Sequence, residues 1–106
     1  MITEDYVSYE ISKLLKEKGF DEECQKYYGD YKYPCPTLQM AMKWLRKVHY
    51  IFIRPNTNFL YPIRYYCEIF CYGDNLKTQQ DVTTENFESP EEACEAGIKY
   101  CLEKLI

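Results

Sequence analysis

Six cysteines, at positions 24, 35, 67, 71, 94 and 101, are the first residues in this chain with the means to do chemistry. Zinc is the chemistry they suggest. A structural zinc site needs four ligands about 2.3 Å from one ion. The spacing does not supply them. Cys67 and Cys71 fall on one face of an extended segment but roughly 13 Å apart. Cys94 and Cys101 fall on one helical face but roughly 10 Å apart. There is no Cys-x-x-Cys, and His49 is the single histidine. The expectation is therefore no metal and no cofactor, with the cysteines as small core residues.

Nucleophilic catalysis would need a Cys or Ser beside His49 as base. His49 closes a predicted helix, where the dipole favours a cation, and that structural role explains it. The glycines stand alone at 19, 29, 73 and 97, which excludes a phosphate-cradling loop. Paired acids such as Glu91-Glu92 belong to the first turn of a helix, where carboxylates are favourable. No catalytic residue is expected, and the chain does not read as an enzyme.

The 106 residues predict one domain over 1–106. Lys and Arg number 13 against 17 Asp and Glu, a net charge of -4. Phosphate binding usually needs a basic excess, so nucleic acid is an unlikely partner on charge. The opening Met1-Ile2-Thr3-Glu4-Asp5 lacks the basic start and apolar run of a secretory leader. No apolar stretch approaches the roughly 20 residues that span a bilayer. A cytoplasmic protein without membrane contact is the expectation, and with it six reduced thiols.

Ser8 as N-cap and Ile11, Leu14 and Leu15 as stripe predict a first helix, with Thr3 as an alternative start. Gly19 stops it, with Phe20 folding back on Leu15. Residues 24–33, with Gly29-Asp30 between aromatic flanks, predict a tight hairpin. Pro34-Cys35-Pro36 should end it. Thr37 caps a second helix to about Val48, with Leu38, Ala41, Met42, Leu45 and Val48 as its buried stripe. Met40 and Trp44 border that stripe. Tyr50 to Ile53 predicts a strand, 54–58 a loop, and 63–72 a long strand with its odd positions toward the core. Gly73-Asp74-Asn75 reads as a turn. A weaker strand is expected within 81–87, through Val82, Thr84 and Phe87. Ser89-Pro90-Glu91-Glu92 opens the last helix with a capping box. The sum is an α+β domain. Three helices pack on a small, mainly antiparallel sheet, in the order helix-hairpin-helix-strand-strand-(strand)-helix.

Two surfaces stand out. Lys43, Arg46 and Lys47 cluster beside Trp44 on the second helix. They form either a solvated helix face or a contact for an acidic partner with Trp44 as aromatic anchor. Tyr66, Phe70 and Tyr72 share the outward face of the long strand, and Tyr27, Tyr28, Tyr31 and Tyr33 crowd the hairpin. Tyrosine is enriched at interfaces, and it also suits a half-buried pleated surface. The strand face should be covered by a second copy or by the hairpin.

The stretches Glu4 to Ser8 with Leu14 to Glu22, Pro36 to Arg46, and Glu91 to Ile106 resemble a family of small uncharacterised proteins of gut-anaerobe bacteria and their prophage-like elements. The resemblance implies a bacterial or phage origin and an accessory role, and carries no chemistry. The leading expectation is a non-catalytic protein-interaction module, with a protein partner or self-association. The alternative is a nucleic-acid-associated protein with a strand-strand-strand-helix reader, touching phosphate through Arg54, Arg64 and Lys77. A small enzyme has no motif behind it.

Overall fold

The hydroxyl of Ser8 accepts a hydrogen bond from the Ile11 N–H at 3.3 Å and starts α1 (Tyr9–Glu17). The computed structural model describes residues 5–58, 64–72, 78–82 and 87–106. Gly19 ends α1 with a φ of 92°. The Phe20 N–H then reaches back to the Leu15 carbonyl at 2.9 Å, and the Gly19 N–H to that of Lys16 at 3.2 Å. This is the Schellman arrangement the sequence predicts, and it buries Phe20. The helix begins at Tyr9; Thr3 lies outside the described residues.

β1 (Lys26–Tyr28) and β2 (Tyr33–Cys35) form an antiparallel ribbon with Tyr28 opposite Tyr33. The connection is four residues, 29–32, with positive φ at Gly29, Asp30 and Tyr31. The ribbon continues through Pro34, where the sequence predicts its end. Both strands of a two-stranded ribbon are edges, so a missing N–H is tolerated there. The Pro34 carbonyl instead accepts from the buried Ser12 hydroxyl of α1.

Thr37 caps α2 (Leu38–His49) by accepting from the Met40 N–H at 3.1 Å. Its buried residues are Leu38, Ala41, Trp44 and Leu45. The buried face is thus rotated from the predicted stripe: Trp44 goes in and Val48 comes out, 52% exposed. A large indole at the stripe's border gains more from burial than a valine in the last turn. Trp44 meets Phe20 edge-on at 5.4 Å between ring centroids. Tyr50 then turns the chain in a left-handed conformation, φ 57°.

β3 (Ile51–Asn58), β4 (Arg64–Tyr72) and β5 (Thr78–Val82) make an antiparallel sheet in that order. Residues 54–58 are strand, where Pro55 and two asparagines predict loop. β3 is an edge, and Pro55 sits opposite Cys67 in its register. The third strand ends at Val82, earlier than predicted. Phe87 instead makes an isolated bridge with Tyr65, two backbone bonds of 2.8 Å. Gly73-Asp74-Asn75 and Thr84 lie outside the described residues.

Ser89 caps α3 (Pro90–Tyr100), accepting from the Glu92 N–H at 3.2 Å. The Glu92 carboxylate accepts from the Glu88 N–H at 3.3 Å, one residue before the expected box partner. A π-helical turn, Cys101–Leu105, follows. α3 lies on β3 and β4 so closely that a Cβ at Gly97 would stand 3.3 Å from the Cys67 and Ile53 side chains. Ile11, Leu15, Leu45, Ile69, Ile98 and Leu102 are fully buried between the layers. The result is an α+β fold of three helices and two small antiparallel sheets. None of the described helices is long and apolar enough to cross a membrane.

Candidate functional site

The thiols come together across elements, which spacing within single elements could not show. Cys67 of β4 and Cys94 of α3 share a hydrogen bond that raises the Cys67 thiol well above its usual range, with burial acting the same way. The same bond pulls Cys94 down against its burial. The Cys67 Sγ also lies 2.8 Å from the Ala93 carbonyl, and Cys101 is close enough to add to the Cys67 shift. Cys67, Cys94 and Cys101 are all buried in the core. Burial, followed by Cys35 and Glu22, also raises Cys24. Among the described residues, no group of three His, Cys, Asp or Glu side chains could hold a metal ion.

His49 sits at the helix end, where the dipole favours a cation, but burial acts against that charge. Its ring meets Trp44 edge-on at 4.8 Å, its Nε2 is buried without a hydrogen-bond partner, and burial lowers its pKa. Desolvation outweighs the helix dipole here, because a buried imidazolium with no acceptor is costly.

The second helix lines a groove of about 480 Å³. Met40, Trp44 and Val48 recur every four residues and make one row along its length. Lys43 and Lys47 make the adjacent row, and Glu22 lines the groove from the segment after α1. Three of the predicted partner-binding residues, Lys43, Trp44 and Lys47, therefore meet in one place. Arg46 is exposed but does not line the groove. Trp44, only 6% exposed, belongs to the core more than to the surface; the accessible apolar residue is Val48. Met40 and Val48 are the lining residues that the periodic stripe hides, since the helical period puts one on its border and the other at its end.

The outward sheet face is organised differently. Tyr66 and Phe70 flank Glu68 and all three are half-buried. Glu68 pairs with Arg54 and accepts from the Asn56 amide at 3.3 Å. The Arg54 guanidinium also lies over the Phe70 ring at 5.7 Å. Arg54 is thus engaged by Glu68 and Phe70 rather than held out for phosphate. Arg64 is half-buried; Lys77 and the Tyr72 side chain lie outside what the structure describes. The hairpin packs on α1, where Tyr28 and Tyr33 both meet Tyr9 edge-on, at 5.5 and 5.6 Å.

Comparison with protein-family models, curated proteins and solved structures gives no match.

Proposed function

We propose that this chain is a non-catalytic protein-interaction module, an accessory protein of the bacterial or phage cytoplasm that binds a protein segment along the α2 groove. The observation that carries this reading is the pairing of two rows on one helix. Met40, Trp44 and Val48 give an apolar track, and Lys43 and Lys47 give a cationic margin beside it. A short segment with aliphatic or aromatic anchors and carboxylates along one side complements both rows. The exposed Val48, rather than the buried Trp44, supplies the anchor contact. The sheet face, where Tyr66 and Phe70 flank a paired Glu68, is the second contact of the same module, suited to self-association.

A displayed library of 12-residue random peptides tests the groove. Selection on the wild type should enrich sequences that combine Asp or Glu with Leu, Ile or Phe. Binding of those peptides should fall at least tenfold in Val48→Arg and in the double variant Lys43→Glu, Lys47→Glu, each checked for an unchanged melting temperature. No enrichment, or enriched peptides indifferent to both variants, would overturn the reading.

A further inference from the structure

The net charge of -4 averages two unlike regions. Residues 24–58 hold six Lys and Arg (26, 32, 43, 46, 47 and 54) and a single acid, Asp30. Residues 81–103 hold seven acids (81, 85, 88, 91, 92, 95 and 103) against Lys99 alone.

 A chain that is acidic as a whole therefore still carries a basic segment.

Lysines of α1 and of the hairpin meet around the Tyr9 and Tyr33 rings. The Lys13 ammonium lies 5.3 Å from the Tyr9 ring centroid. Lys16 and Lys32 each lie 5.3 Å from that of Tyr33. Tyr9 and Tyr33 are themselves in edge-to-face contact. Among the described residues, no carboxylate comes within 4.0 Å of any of these three ammonium groups. Tyr31, at the hairpin tip beside Lys32, is 82% exposed and leans on Tyr27 at 5.3 Å. Three ammonium groups with no carboxylate beside them, and an open aromatic ring, thus lie on α1 and the ribbon; the Lys16 ammonium also donates to the Lys32 carbonyl at 2.6 Å.

We propose that this lysine–tyrosine surface binds single-stranded nucleic acid. Phosphates meet Lys13, Lys16 and Lys32, and a base stacks on Tyr31. Single strands suit it because they offer negative charge and unpaired ring faces together, which an acidic peptide does not. This surface is separate from the α2 groove, and the proposal does not depend on the groove having a peptide partner.

Fluorescence anisotropy with a labelled 20-nucleotide oligo-dT tests it. Three phosphate contacts predict a salt slope of about -2, so affinity should fall roughly twentyfold between 50 and 200 mM salt. The triple variant Lys13→Gln, Lys16→Gln, Lys32→Gln should lose most of the binding and most of the slope. Tyr31→Asn, which keeps a residue at ease with positive φ, should weaken binding about tenfold with the slope unchanged. Circular dichroism melts confirm that each variant is folded. The proposal is overturned if the wild type does not bind at 50 mM salt, or if binding survives in the triple variant. It is equally overturned if polyglutamate competes as well as oligo-dT and Tyr31→Asn binds like the wild type, since the surface is then a general polyanion site.

Discussion

The β1–β2 ribbon and the β3–β4–β5 sheet differ in what holds them in place. The ribbon has three residues per strand and few ladder bonds of its own. It is tied down by polar contacts from outside. Ser12 donates to the Pro34 carbonyl, the Lys16 ammonium to that of Lys32 at 2.6 Å, and the Tyr28 hydroxyl to that of Val7 at 3.1 Å. The larger sheet, with strands of 8, 9 and 5 residues, is tied down by close apolar packing under α3, at Gly97, Cys67 and Ile53. An isolated two-stranded hairpin is marginal in water, so a small ribbon needs directional bonds where a wider sheet can use area.

Leu45→Ala should have the largest effect, because α2 packs on β3 and α3 and Leu45 is fully buried. A loss of about 2–5 kcal/mol is expected in urea denaturation. A smaller loss would mean that the two regions are held together by something other than the shared core. Gly97→Val should cost about 1–3 kcal/mol by overpacking against β3 and β4. Hydrogen exchange should quicken in β4 before it does in the ribbon. Ser12→Ala leaves the buried Pro34 carbonyl without its donor, at a cost of about 1–3 kcal/mol, and the amides of 26–35 should exchange first. Identical exchange patterns for these two variants would erase the contrast between ribbon and sheet.

His49 gives a pH test at the junction of α2 and β3. Burial lowers its folded pKa below the unfolded value of about 6.5. The unfolded chain then binds the proton more readily, so stability is complete above about pH 6.5 and declines as pH falls below it. In His49→Phe, which keeps a ring on Trp44, that part of the acid sensitivity should disappear from the denaturation midpoint. An unchanged pH profile would show that the imidazole is not the group responsible. Lys47→Ala should be the quietest change, within roughly 0.5 kcal/mol, because the side chain is exposed. Its effect should appear in peptide binding alone.

Local signals were legible wherever a few neighbouring residues decide the outcome. Ser8, Thr37 and Ser89 each cap the helix they were expected to cap. The alternation in 64–72 placed Cys67 and Ile69 in the core and Glu68 and Phe70 outside it. The errors cluster where a neighbour overrides local preference. Pro34 and Pro55 read as strand breakers but sit on edges, and edge status is a property of the assembled sheet. Val48 fits the helical period yet is exposed, because Trp44 takes its place against Phe20. Of the candidate site, the cations Lys43 and Lys47 were visible in the sequence. The groove they border was not, since its shape depends on which way the indole turns and on Glu22, far away in sequence.

The sequence by itself determined the helix starts, the alternation of the long strand and the α+β class, because caps and periodicity act within a few residues. Only the tertiary structure decided which thiols meet, which way burial moves His49, and which lysines gather around the Tyr9 and Tyr33 rings. Those depend on distances between segments far apart in the chain, and electrostatics and desolvation follow distance in space.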